Sequence, residues 1–366
     1  MEVTNVERTV SSTDAGELVG LEKNHGLDAT EVHEPEHVPS PAFRVANLLA
    51  VILPLIGLIA AMVLMWGEHF NWLYLGLLVG FYVATAVGIT VGFHRLFTHR
   101  AFETVWPVRA GFAILGSMAV QGPLIDWVAW HRRHHQHSDH DGDPHSPHLH
   151  GEGVGGMLKG MIHAHFGWML WENDTGQEKY VGDLLREKRL MKIQNLFGLW
   201  AILGLVLPAI IAGLVTMSWM GALLGFLWGG LARLFLVHHV TWSVNSICHI
   251  WGAQPFGSKD ESRNNVVVGI LAMGEGWHNS HHAFPTSARH GLSWWQLDIS
   301  YLIIKTLSLL GLAWKVKVPS AEAIEAKRNA RARNDAAAAA AAAAASKEGS
   351  INLDAAAFTG NKPAHD

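Results

Sequence analysis

The chain has 366 residues, 49 % hydrophobic and only 16 % charged, with 24 histidines against 27 Lys+Arg, a single Cys and a net charge of −4. A mean hydropathy of +0.17 and a pI near 6.7 exclude a disordered chain, an ordinary soluble enzyme and the basic footprint of a nucleic-acid binder, so no nucleic-acid partner is expected. The lone Cys248 excludes an intrachain disulfide, a CxxC redox pair and a cysteine zinc site, so any metal must be held by imidazole and oxygen.

Residues 1–43 read as a flexible polar leader, with Glu31, Glu34, Glu36, Pro35, Pro39 and Pro41, and without the basic and apolar regions of a cleaved signal peptide. The main domain follows, from 44 to 318. Its apolar runs 45–66 and 72–93 are each about 22 residues, enough to cross a hydrocarbon core of about 30 Å. The short turn Gly67–Asn71 makes them a helical hairpin, and runs 196–217 and 220–237 make a second one. Two further apolar stretches are not expected to span. Val108–Leu124 contains Arg109 and Gln121, and Leu292–Trp314 contains Asp298 and Lys305; both suit the membrane interface or the underside of a cap. The two outer turns carry no Lys or Arg, whereas the loop from His94 to Gln194 carries eleven. That asymmetry places the loop and both termini in the cytoplasm. The tail, 319–366, holds a basic run (Lys327, Arg328, Arg331, Arg333) and the alanines Ala336–Ala345; it is expected to be a solvated appendage dispensable for chemistry.

The histidines are spaced regularly. His94 and His99 form HRLFTH, His131, His134 and His135 form HRRHH, and His278, His281 and His282 form HNSHH. Positions i, i+3 and i+4 share one helix face, so each HxxHH is expected to turn three imidazoles toward one point. Clustering so many imidazoles without a metal would be costly. HSDHDGDPHSPHLH follows the first box, and Asp139, Asp143 and His145, with His165 further on, are candidates to orient ligands from behind. His140, His148 and His150 are expected to be hydrated loop. His249 lies four residues after Asn245 in NSICH, so the two share a helix face. The fold expected is an all-α membrane protein: four transmembrane helices in two hairpins under a cytoplasmic helical cap that holds a dimetal site.

HRLFTH, WVAWHRRHHQHSD, NSICH and GEGWHNSHHAFP, in this order, resemble the integral-membrane fatty acid desaturases, specifically the stearoyl-CoA (Δ9) desaturase-like branch. The resemblance covers about residues 44 to 300, and AFPTSARHGLSWWQLD is similar to the bacterial members. It implies two Fe ions held by His94, His99, His131, His134, His135, His249, His278, His281 and His282, with Asn245 reaching one of them through water. It also implies O2 as co-substrate and a narrow, kinked acyl tunnel, with Gln121, Trp127 and Thr241 at the kink and Tyr82 and Ala86 at the closed end. The animal enzymes carry an Arg-Asp pair where this chain has Ala129-Trp130, and an Asn where it has Gly122. The tunnel therefore carries over but CoA recognition does not, and the acyl group is carried by a thioester or by a membrane lipid.

Imidazole suits several metals. Zinc cannot change oxidation state, so desaturation selects iron, and no side-chain acid, base or nucleophile is expected to be catalytic. The chain has no HPGG haem signature, no dinucleotide fingerprint and no cysteine set for an iron–sulfur cluster. A separate donor, ferredoxin-like or cytochrome b5-like with its reductase, is expected to dock on the cytoplasmic face near Arg132 and Arg133. The membrane implied is a bacterial inner membrane. A hydroxylase sharing the metal site is the nearest alternative. A metal transporter would need polar ligands at the bilayer midplane, whereas these gather at the helix ends.

Overall fold

The computed structural model describes residues 9–10, 40–65, 71–171 and 178–359. Most of the leader and the first outer turn, 66–70, lie outside the described residues. In chain order the helices are α1 (Pro41–Leu64), α2 (Trp72–Thr98), α3 (Trp106–Ser117), α4 (Leu124–His137), α5 (153–171), α6 (Glu178–Leu185) and α7 (Lys188–Gln194). They continue with α8 (Phe197–Thr216), α9 (Trp219–Ile250), α10 (Val266–Leu271), α11 (His278–Ala283), α12 (Ile299–Leu309) and α13 (Ala321–Thr359).

Four of them, α1, α2, α8 and α9, are long and apolar enough to cross a membrane. Their burial differs: the apolar windows of α1 and α8 are 17 % buried, those of α2 and α9 50 %. The first two turn Leu48, Ile52, Ile56, Leu199, Ile202 and Ile210 outward, as a lipid-facing helix must, and α2 and α9 pack inside. Both inner helices run past the stretches 72–93 and 220–237 read from hydropathy, to 27 and 32 residues. The extensions carry HRLFTH and NSICH. They are polar but packed under the cap, so no exposure to water ends the helix there.

The other two apolar stretches do not cross. The helices within them, α3 and α12, have 12 and 11 residues, about half the length a span needs. Helix α3 crosses α2 where a Cβ on Gly88 would lie 2.2 Å from the Gly116 nitrogen, so only glycine permits that approach. The shared core of the cap is built from Phe93, Phe97, Phe112, Leu124, Val128 and Ile304. The tail is helical, and α13 is anchored at its base, where the Gly257 amide donates to the Lys327 carbonyl (3.2 Å).

Candidate metal centre

Residues 88–98 of α2 form a π-helix, and its last turn is closed by the His99 amide donating to the His94 carbonyl (3.1 Å). An i→i+5 ladder, a wide turn found mostly at functional sites, stacks residues five apart. This is why HxxxxH brings two imidazoles together, with ring centroids 4.8 Å apart. On an ordinary α-helix they would lie on different faces.

Nine imidazoles, from α2 and the turn after it, α4, α9 and α11, form two groups. His94, His99, His131, His135 and His281 make one, and His134, His249, His278 and His282 the other; within each, the nitrogens lie within 4.8 Å of one another. The boxes therefore do not each point to one centre, which corrects the expectation drawn from spacing. In both, the i and i+4 histidines stay together (His131 with His135, His278 with His282), while the i+3 histidine joins the other group. At 3.6 residues per turn, i+4 lies about 40° to one side of i and i+3 about 60° to the other. One HxxHH thus feeds two neighbouring sites, and two facing boxes exchange their i+3 members.

The ring nitrogens show what the groups are built for. Carboxylates accept a hydrogen bond from the Nδ1–H of four imidazoles: Glu275 from His94 (2.5 Å), Asp143 from His134 (3.0 Å), Asp139 from His249 (2.7 Å) and Asp260 from His282 (2.7 Å). That fixes the lone pair on Nε2. The Nε2 atoms of His99, His134 and His282 are buried without a partner. Others face one another: His94 and His281 at 3.0 Å, His135 and His281 at 2.9 Å, His249 and His278 at 3.0 Å. With the neutral rings converging nitrogen to nitrogen in two groups and three Nε2 atoms left unpartnered, the donor set fits two metal ions. Burial, together with mutual repulsion, holds His99, His131, His135, His278 and His281 well below the ordinary imidazole value, leaving them neutral and ready to coordinate. Burial opposes ionisation of Asp143 and Asp260, but the facing His134 and His282 outweigh it and hold both carboxyls well below their usual range.

Asp139 and Asp143, picked out in the sequence, thus lie behind His249 and His134. His145 stacks on His134 (4.3 Å), and burial and that neighbour push its pKa down to about 3. His165 lies elsewhere, against Ser246 (2.9 Å) and His239 (3.0 Å), and touches no imidazole of either group. Arg132 is turned inward, to Asp183 (2.7 Å) and to the carbonyls of Phe97, Thr98 and Tyr180, which removes it from the expected docking face.

Sequence reading missed Asp260, Glu275 and His290 and gave no role to Arg95 and Asp298. Glu275, three residues before His278, could have been found as Asp139 was, by its place beside a box. Asp260 has no such signal. Fully buried Arg95 donates to Asp298 (2.8 Å) and the Ala288 carbonyl (2.9 Å), contacts Glu275 (3.2 Å) and meets His290 Nδ1 (3.1 Å). The turn before Glu275 is left-handed at Gly274 (φ +115), where a Cβ would meet Asp298.

A narrow cavity beside the two groups is lined by His94, His131, His278 and Asn245 and by Tyr82, Ala86 and Ile89. The Tyr82 hydroxyl donates to the Leu271 carbonyl (2.7 Å). Trp127 and Thr241 line both this cavity and a wider opening toward α1 and α5. Gln121 donates to the Thr241 hydroxyl there (2.9 Å), and Trp127 stacks on His131 (5.1 Å). A narrow, mostly apolar channel beside polar ligands suits a long alkyl chain.

A sequence model of the fatty acid desaturase family matches residues 70–308. The chain is similar to a hex-5-enoyl-[acyl-carrier protein] acetylenase of Moorena producens, 46 % identical over 77 % of this chain and 88 % of the relative. It is also similar to the palmitoyl-monogalactosyldiacylglycerol delta-7 desaturase of Arabidopsis thaliana, 41 % identical over 69 % of this chain and 64 % of the relative. An sn-1 stearoyl-lipid 9-desaturase of Synechocystis sp. is 38 % identical over 71 % of this chain and 77 % of the relative.

Proposed function

The chain belongs to the fatty acid desaturase family, and from that premise we propose that it introduces a cis double bond, at Δ9, into a saturated long-chain acyl group. The reaction is –CH2–CH2– + O2 + 2 e− + 2 H+ → –CH=CH– + 2 H2O. The observation that carries this reading is the channel that passes directly beside two adjoining imidazole groups. His94, His99, His131, His135 and His281 would hold one iron; His134, His249, His278 and His282 the other, with Asn245, one helical turn before His249, reaching it through water. When bound, the irons supply the redox chemistry that activates O2. The chain's own residues supply orientation and dryness.

Gln121, Trp127 and Thr241 set the bend that presents one C–C bond in the cis arrangement. Tyr82 and Ala86 end the channel and so measure the chain beyond it. Ala86 is 4 % exposed and lines the cavity, so Ala86→Phe is expected to shorten the preferred acyl chain by several carbons. An unchanged chain-length profile of the products, read by gas chromatography, would remove Ala86 from the channel end. The imidazole sites and both termini lie in the cytoplasm by the charge asymmetry of the loops, the bilayer being a bacterial inner membrane. Electrons come from a separate carrier protein.

Expression in a host without unsaturated fatty acids, with mass spectrometry of its lipids, tests the assignment. Wild type should yield Δ9 cis-monoenes and His134→Ala none. Hydroxylated chains would move the protein to the hydroxylases. The acetylenase relative supports a second reading, removal of two further hydrogens from an acyl chain that already holds a double bond; feeding a monoene and recovering an alkyne would establish it.

A further inference from the structure

Electron delivery needs a place where a carrier comes close to the metal groups, and this inference rests on the desaturase reading above. The loop 253–263 provides one. Its Asp260 accepts from His282 (2.7 Å) and lies between exposed Lys259 and Glu261. The Glu261 amide donates to the Asp139 carboxylate (2.9 Å), which in turn holds His249 (2.7 Å). One surface loop therefore touches the carboxylates behind two of the four imidazoles of the second group. The same loop reaches the α11 helix: the Phe256 amide donates to the Asn279 side chain (2.9 Å), next to His278.

Helix α13 stands against this loop. Its Lys327 carbonyl accepts from the Gly257 amide, and the Arg328 guanidinium lies over the Phe256 ring (5.8 Å). The basic run read in the tail is thus brought beside the loop. Arg328 and Arg331 are paired with Glu325 and Asp335 within the helix. Lys259, Lys327 and Arg333 are exposed and have no carboxylate partner among the described residues.

We propose that loop 253–263 and the basic run 327–333 of α13 are the docking surface of the electron donor, a small acidic one-electron carrier protein. Positive charge beside the loop steers an acidic carrier to it and sets its orientation. The Asp260–His282 contact is then the path inward. Each docking oxidises one carrier by one electron, so two dockings supply the two electrons of the reaction above. The tail read as dispensable becomes the element that recruits the donor.

The test uses the full chain in nanodiscs and an acidic [2Fe–2S] ferredoxin as probe, with Kd measured by surface plasmon resonance. Lys327→Glu/Arg333→Glu, which breaks no ion pair among the described residues, is expected to raise Kd about tenfold at low salt, and the difference should vanish near 0.5 M salt, where charges are screened within about 4 Å. Arg186→Glu/Lys188→Glu, the same charge change on the α6–α7 turn, should leave Kd within about twofold. An unchanged Kd in the α13 variant, or equal weakening in the control, overturns the proposal. So does retained ferredoxin affinity with lost binding to phosphatidylserine vesicles, which would assign α13 to the membrane surface. Wild type that binds ferredoxin but makes no unsaturated product would instead refute the desaturase reading and leave the surface standing.

Discussion

Replacing Asp298 with alanine is expected to destabilise the protein by roughly 3–5 kcal/mol, the cost of leaving a buried charge without its partner. Asp298 is 3 % exposed, and its oxygens accept from Arg95, from the amides of His290 and Gly291, and from the Tyr301 amide that opens α12. Its loss leaves the fully buried guanidinium with Glu275 as its remaining carboxylate contact and takes the acceptor from two buried amides and the part-buried Tyr301 amide. The consequence reaches the metal site because Arg95 also contacts Glu275, which holds His94. Asp298→Asn keeps an acceptor but not the charge, and should fall between. Thermal unfolding of the detergent-solubilised protein measures this, and an alanine variant with an unchanged Tm would show that the network is not a support of the site.

Replacing Asp260 with alanine should act on metal and not on folding. Asp260 comes from a loop outside the hydrophobic core; its loss takes an acceptor from Ser262 within the loop, and His282 loses the acceptor that fixes its tautomer. Removing such a partner typically weakens metal binding about 10–100-fold. Because His282 belongs to the four-histidine group alone, the loss is expected to be selective: iron per chain should fall from about two toward one, with the far-ultraviolet circular dichroism unchanged. Equal loss from both sites, or none, would contradict the division into two groups.

The two cases mark what the sequence could and could not show. The four spans were legible because hydropathy over a membrane thickness is a local property. Eight of the histidines were legible because their spacing in the boxes is too, and His249 joined them only through the family resemblance. Their sorting was not: whether His134 sides with His131 or with His282 depends on two boxes facing one another, a long-range fact that one helix's periodicity does not contain. The supports behind the ligands were legible only where they adjoin a box, as Asp139 and Asp143 do. Asp298 stood out as a charge in an apolar stretch, which was enough to reject a span but not to find Arg95, more than two hundred residues away. Asp260 sits in a loop of ordinary charged composition and is given its role only by tertiary contact. The π-turn at the end of α2 was hidden in the same way, since HxxxxH looks mismatched to a helix until the ladder is seen to be i→i+5.

This chain is expected to hold two irons in unlike imidazole surroundings. Mössbauer spectroscopy of the purified, 57Fe-enriched protein tests it most directly. Five histidines at one site, and four with Asn245 through water at the other, predict two quadrupole doublets of equal area. A single doublet, or an active preparation holding zinc or only one iron, would contradict it.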